Sequence, residues 1–385
     1  MPKDGAALMD EVSLYKKIQE NAKKREKMKA NTQVVFTKNL SENRATLEDF
    51  EILKVLGRGA FGKVMLVQKK DTKQVFALKS MHKEEIIDKD QIEHTKTERY
   101  VLEKSKCPFL VSLEYAFQTP DKVFFVMKFM KGGELFQHLR ISKRFDEERA
   151  KFYVAEILLG LEYLHELGVI YRDLKPENIL MDEDGHLVIT DFGMAKQLKD
   201  GELTHSFVGT PEYLSPEMVR GEGHSQPADW WALGILAFEM LTGLPPFYNR
   251  EQNTQKVFNA IREKEIVFPA KVNISADGKD FITKLLKKKP EERLGFKGAQ
   301  EIKAHKWFSN VNWNLLGEKK VTPPFKPKVT GDYDVENFDS EFTKEEAYNS
   351  VRHNANMKLV NKYQKEFKDF TYVPGKGMLN EGKQH

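Results

Sequence analysis

Two aspartates, Asp173 and Asp191, bracket an apolar run with a tight Asp-Gly turn at residues 179–189, and Lys175 and Asn178 lie on the loop just past the first acid. A carboxylate that can accept a hydroxyl proton, a lysine that can neutralise a transferring phosphoryl group, and an amide with a second carboxylate that can hold magnesium are the groups in-line phosphoryl transfer asks of a protein. For an isolated Asp-Phe-Gly the better reading is an acidic β-hairpin on a solvated face. The whole octapeptide Y-R-D-L-K-P-E-N ahead of Asp191-Phe192-Gly193 argues against that reading here.

Such a loop needs a phosphate cradle and rigid elements to aim it. Residues 50–56 read as a strand, G-R-G-A-F-G as its turn and 63–68 as the returning strand. Gly57, Gly59 and Gly62 would let backbone N–H groups approach a triphosphate. A strand, not a helix, follows these glycines, which separates them from the dinucleotide fingerprint, and Val64 completes G-x-G-x-x-G-x-V. In V-F-A-L-K, Ala77 and Lys79 fall on one side of a strand. Ala77 is small enough to roof a purine; Lys79 can reach phosphates, with Glu98 on a helix at 91–103 as its partner. The pattern at 152–167, ended by Gly168, predicts a helix leading into the catalytic loop. Asp229 opens W-W-A-L-G-I-L-A-F-E-M-L, apolar nearly all round and so a buried helix that Asp229 is expected to cap.

Taken together, these motifs resemble the catalytic and magnesium loops of eukaryotic protein kinases. The stretches P-P-F-K-P (323–327), N-F-D-S-E-F-T (337–343) and F-K-D-F-T-Y (367–372) resemble the C-terminal tail of the AGC group. The likeness runs over about 47–372 and is similar to the protein kinase B, serum-regulated and ribosomal-protein kinase branch of Ser/Thr kinases. It implies an α+β, bilobal protein-kinase fold: a five-stranded antiparallel small lobe and a mainly helical large lobe, with ATP and Mg2+ between them. Asp173, Lys175, Lys79 and Glu98 would be catalytic, and Asn178 and Asp191 would hold the metal.

By the same resemblance, nucleotide contacts would come from Leu56, Gly57, Arg58, Gly59, Ala60, Phe61, Gly62, Lys63 and Val64 around the glycine-rich turn. Ala77, Met127 as gatekeeper, the backbone of Lys128 and Met130, Glu134, Leu180, Thr190 and the tail's Phe338 would complete the pocket. Leu102, Leu113, Tyr171 and Phe192 match the apolar stack that couples the lobes. Glu217 and Arg293 match a buried ion pair, and Asp229 would also brace the catalytic loop.

Regulation and specificity follow from the likeness too. Ser206 stands where these kinases are phosphorylated, with Thr204 as a neighbouring competitor, and His94, Arg172 and Lys196 would gather round the phosphate. Thr371 sits at the hydrophobic-motif phosphosite, and Phe367 and Phe370 would insert into a groove between the first helix and the sheet of the small lobe. No Ser-Pro or Thr-Pro lies between Thr343 and Phe367, and Ser350 is a poor stand-in for a turn-motif phosphosite. Glu134, Glu177 and Glu239 match acids that read arginine before the acceptor, while Phe207, Pro211 and Leu214 would line an apolar pocket after it. The expected motif is R-x-x-S/T with an apolar follower.

Composition bounds the rest. A net charge of +4 on a chain with 62 basic and 58 acidic residues gives no support to nucleic-acid binding. The single cysteine, Cys107, excludes an internal disulfide framework and fits a reducing compartment. With no apolar leader or long apolar run, the expectation is a cytoplasmic or nuclear monomer that meets protein substrates and an upstream activating kinase. The chain divides into a charged extension (1–46), a kinase domain (47–308, small lobe to about 129) and a tail (309–385). Val12, Leu14, Tyr15 and Ile18 lie partly on one face of a candidate helix at 11–31, before a basic run from Lys23 to Lys29. A solvated tail, a docked helix and a basic membrane-surface signal are all open there, with little membrane binding expected. The competing class is a nucleotide-binding pseudokinase or scaffold.

Overall fold

Alternating apolar and polar residues give each strand along 50–82 two unlike faces. In the computed structural model, which describes residues 45–59, 62–347, 356–368 and 370–372, this stretch forms β1 (Phe50–Gly59), β2 (Gly62–Lys69) and β3 (Val75–His82). With β4 (Leu113–Gln118) and β5 (Lys122–Lys128) they build a five-stranded sheet in the order β1-β2-β3-β5-β4, each neighbouring pair antiparallel. One face packs Phe50, Met65, Val67, Phe76, Leu78 and Phe124 into a closed core. The other carries Leu56, Val64 and Ala77, which pack with Phe129 and the tail's Phe338. The positions expected for Ala60, Phe61, Ser350 and the 11–31 helix lie outside the described residues.

The glycine-rich strands run further than the apolar pattern indicates, pairing as far as Gly59 with Gly62. Gly62 has a reason of its own: a Cβ there would lie 1.7 Å from the Ser80 carbonyl oxygen of β3. Its missing side chain lets β2 close on β3.

Below the sheet, the helix Glu147–Glu166 begins five residues before the expected 152, because the Asp146 side chain caps it by accepting from Arg149 N at 2.8 Å. Its polar first turn hides the start. Arg149 is buried there, its guanidinium 4.0 Å from the Phe145 ring centroid and 3.8 Å from that of Phe325. Gly168, at φ +69°, ends the element. The helix Pro227–Thr242 is buried along nearly its whole length. Asp229 does not cap it, contrary to expectation. Proline at the first helical position moves the start back to Pro227, so Asp229 falls inside the first turn and its carboxylate points elsewhere.

The tail returns across both lobes. Its Phe325 carbonyl sits so close to Gly185 (φ +100°) that a Cβ there would be 2.0 Å away. Phe338 stacks on Phe129 at 5.5 Å. Phe367 and Phe370 are buried, Phe370 lying 5.1 Å from Phe125 of β5 and 5.8 Å from the Arg99 guanidinium on the helix Ile92–Lys104. Tyr372 then adds an antiparallel bridge to the sheet edge, donating to Ala116 O at 2.8 Å and accepting from Ala116 N at 3.2 Å. Removing an aromatic ring from such a pocket costs about 3–5 kcal/mol. Phe370→Ala is therefore expected to open 356–372 to trypsin at Lys362, Lys365 and Lys368, cleaving about tenfold faster than the parent in a timed digest.

Candidate active site

Lys79 projects from β3 and donates to Glu98 Oε1 at 2.6 Å and to Asp191 Oδ1 at 3.0 Å. Burial works against its charge, yet the adjacent Asp191 and Glu98 carboxylates outweigh burial and raise its pKa. It stays an ammonium. Burial pushes the Glu98 carboxyl up, with Lys79 pulling it part of the way back, whereas Lys79 holds Asp191 below the usual carboxylate range. Asp191 adopts φ +55°, a cost the loop bears to aim its half-exposed carboxylate at Lys79.

The loop after Ile170 carries the second group. Asp173 accepts from Lys175 Nζ at 3.0 Å, from Asn178 Nδ2 at 2.8 Å and from Thr210 Oγ1 at 3.1 Å. Lys175 Nζ also donates to Thr210 Oγ1 at 3.1 Å. Asp229, freed from capping, braces the loop from beneath: its carboxylate accepts from Tyr171 N at 2.9 Å and Arg172 N at 2.8 Å, and bonds His165 Nε2 at 2.7 Å. Thr190 ties the two acids together, donating from N to Asn178 O at 3.0 Å and accepting from Tyr171 Oη at 2.6 Å through its carbonyl. The strands Ile179–Met181 and Leu187–Ile189 pair antiparallel between them, as the apolar run implied.

These residues suit a nucleotide and a hard cation. Asn178 spends Nδ2 on the Asp173 carbonyl and carboxylate, which leaves its Oδ1 facing the other way. An amide oxygen and the Asp191 carboxylate are oxygen donors of the kind magnesium takes beside phosphates and water. At Gly57 and Gly59 a Cβ would meet no non-adjacent atom of the described residues within 4 Å, so those positions leave room above the strands. Leu56, Val64 and Ala77 share one apolar cluster with Phe338, while Met127, Met130 and Leu180 belong to the opposite one. The Lys128 side chain is exposed and its N–H is committed to Ser112 O at 3.2 Å.

Residues 50–308 of the chain match the protein kinase domain, which accounts for this cleft. The chain belongs to the protein kinase family. Residues 329–372 of the kinase match the protein kinase C terminal domain, the tail that returns over both lobes, and the two matches place it in the AGC group. It is 47% identical over 329 residues to serine/threonine-protein kinase YPK1 of Saccharomyces cerevisiae, covering 85% of this chain and 47% of that one. It is 48% identical over 328 residues to serine/threonine-protein kinase gad8 of Schizosaccharomyces pombe, covering 85% and 57%. It is 48% identical over 303 residues to the RAC-beta serine/threonine-protein kinase A of Xenopus laevis, covering 78% and 62%. The kinase spans about half the length of the first of these relatives. The family uses ATP with Mg2+.

Around Ser206 the kinase gathers basic side chains. Arg172, at φ +68°, donates through Nη1 to Ser206 Oγ and through Nε to Met194 O at 2.7 Å, while its buried Nη2 has no partner among the described residues. Burial depresses the Arg172 pKa to about 10, only partly offset by Asp229. Lys196 Nζ donates to Thr204 Oγ1 at 3.0 Å, and Thr204 and Ser206 hydroxyls lie 3.1 Å apart. His94 faces the same cluster: burial lowers its pKa, and Arg172 and Lys196 lower it further. Thr204 is buried, and its backbone is bonded to His224 in both directions at 3.0 Å; Ser206 is the more accessible of the two hydroxyls.

Two acidic groups flank the catalytic loop. Burial, then Glu177 and Asp339, push Glu134 up to about 7. Burial, then Glu177 and Glu212, push Glu239 up to about 7, although the Tyr213 hydroxyl donates to it. Glu177 acts on both. Of the expected apolar trio, Phe207 is exposed and packs edge-on against Phe258 at 5.7 Å, and Pro211 is half-buried. Leu214 is buried with Met218 and Ala228, so it underlies that surface and does not face solvent. Thr210, Glu212 and Asp339 escaped the sequence reading. For Thr210 the signal was present: its hydroxyl follows Gly209, whose φ of +115° lets the chain pass against the Arg172 carbonyl.

Proposed function

We propose that this kinase transfers the γ-phosphoryl group of ATP to serine and threonine hydroxyls of protein substrates carrying arginine three residues before the acceptor and an apolar residue after it. The observation that carries the reading is the joining of Asp173, Lys175 and Thr210 in one hydrogen-bonded group, opposite a closed Lys79–Glu98 pair that also reaches Asp191. When bound, ATP supplies the phosphoryl group and magnesium neutralises its phosphates. Lys79 would hold phosphate oxygens, and Asp191 and Asn178 would hold the ion. Asp173 orients the acceptor hydroxyl and takes its proton, and Lys175 offsets charge on the phosphoryl oxygens.

The cations around Ser206 support its phosphorylation by an upstream kinase as the ordering switch, a dianion there replacing the weak hydroxyl contact of Arg172. Thr371, between the buried Phe370 and the bridging Tyr372, is proposed as the second site. In this reading the kinase acts as a monomer in the cytoplasm or nucleus.

Transfer of labelled phosphate to an R-x-x-S peptide, with a peptide lacking that arginine alongside, tests the reading. A preference for acidic or proline-directed peptides would defeat it. The raised carboxyls add a sign. Below about pH 7 Glu134 and Glu239 hold protons and attract a guanidinium weakly; above it they are carboxylates. KM for the arginine peptide is expected to fall about threefold to tenfold from pH 6 to pH 8. The arginine-free peptide should show no such slope.

A further inference from the structure

Near the end of the glycine-rich hairpin, Arg58 of β1 faces Lys63 of β2 directly. Like charges opposite one another on antiparallel strands repel. Here a carboxylate from far along the chain lies between them. Arg58 Nε donates to Glu345 Oε1 at 2.9 Å and Arg58 Nη2 to Glu345 Oε2 at 2.6 Å, a bidentate fork, and Lys63 Nζ lies 3.9 Å from the same carboxylate. Glu345 is itself placed by the tail. Asp339 caps the short helix Ser340–Thr343, accepting from Glu341 N at 2.9 Å, and Glu345 N donates to Phe342 O at 3.0 Å. That helix packs on β1, and Phe338 just before it enters the apolar cluster of Leu56, Val64 and Ala77.

We propose that Glu345 is a positioning residue, the counterion by which the tail holds the glycine-rich hairpin in its nucleotide-binding register; this rests on the nucleotide-binding reading above. The pair is partly exposed and so weak as a source of stability. Its effect comes through direction. Three glycines leave the hairpin few constraints of its own, and a planar fork fixes orientation as well as distance. Without the carboxylate the fork on Arg58 is lost, the repulsion between Arg58 and Lys63 is less offset, and the backbone N–H groups lose part of their common aim.

The experiment compares Glu345→Gln with the parent chain by ATP displacement of a fluorescent trinitrophenyl nucleotide, by steady-state transfer to the arginine peptide, and by amide exchange over 50–69. The expected result is a Kd for ATP raised about fourfold, with kcat at saturating ATP changed by less than about twofold. Exchange quickens in β1 and β2 alone, and the salt dependence of ATP binding that the parent shows is reduced. Glu345→Asp, which keeps the charge on a shorter side chain, is expected to recover at least half of the lost affinity, as a counterion would and a merely space-filling side chain would not. The proposal is overturned if Glu345→Gln binds ATP and exchanges like the parent, or if Glu345→Asp binds no better than Glu345→Gln. A parent chain that binds nucleotide but transfers no phosphate would instead sink the kinase reading, and one that binds none would sink the nucleotide reading; the exchange comparison still decides the clasp in either case.

Discussion

Asp173→Asn is expected to leave a folded protein that binds nucleotide as the parent does and transfers phosphate about a thousandfold more slowly. The substitution keeps size and shape but exchanges an acceptor for a donor at a position already surrounded by donors: Lys175 Nζ at 3.0 Å, Asn178 Nδ2 at 2.8 Å and Thr210 Oγ1 at 3.1 Å. It also removes the proton acceptor nearest the Lys175 ammonium. Lys79, Glu98 and the Asp191 carboxylate that meets them have no bond to the Asp173 side chain among those above, so nucleotide displacement should shift by less than about twofold. The loss should therefore appear in kcat. A variant within about tenfold of the parent would remove Asp173 from the base role.

The second large effect is on stability. Glu217 and Arg293 are both buried and form a bidentate pair, with Nη1 to Oε1 at 2.8 Å and Nη2 to Oε2 at 2.9 Å. Arg293 also donates to Pro227 O at 2.7 Å, at the start of the buried helix Pro227–Thr242. Glu217→Gln leaves that guanidinium in the core without its counterion, at a cost of about 3–5 kcal/mol. The melting temperature should fall by about 8 °C, read by calorimetry or circular dichroism. Burial alone would raise the Glu217 pKa, but the hydrogen bonds and charge of Arg293 outweigh it and hold the carboxyl below its ordinary 4.5. A depressed carboxyl stabilises the fold above the unfolded-state pKa and loses that contribution as pH falls through the folded value. The gap between parent and variant should thus be constant from pH 6 to pH 8 and narrow below about 4.5. A variant that melts with the parent would show the ion pair to be dispensable.

The two results probe different layers of the molecule, and those layers were unequally legible from the chain. Local patterns carried the strands, the glycine-rich turn and the buried helix, because each depends on residue types a few positions apart. Boundaries were less legible where a polar first turn conceals a buried face, as at Glu147–Glu166, whose Arg149 is sandwiched between Phe145 and a phenylalanine from the tail. Asp229 misled as a cap for a related reason, although the family likeness gave its bracing of the catalytic loop correctly. Its position ahead of an apolar run has the form of a cap, but Pro227 begins the helix, and the carboxylate turns to the backbone of Tyr171 and Arg172.

What residue types and short spacings determined is the chemistry on offer: a proton acceptor, two lysines, an amide and a second acid, with glycines where a phosphate must come close. Which of these groups meet was decided by the tertiary structure alone. Glu345 reaching Arg58, Thr210 joining Asp173 to Lys175, and Glu134 and Glu239 lifted toward neutrality by burial and by acids from other segments all depend on closing long loops of chain. Contacts of that kind leave no periodic trace in the sequence, since a charge or hydroxyl on a loop reads the same whether it faces water or a partner hundreds of residues away.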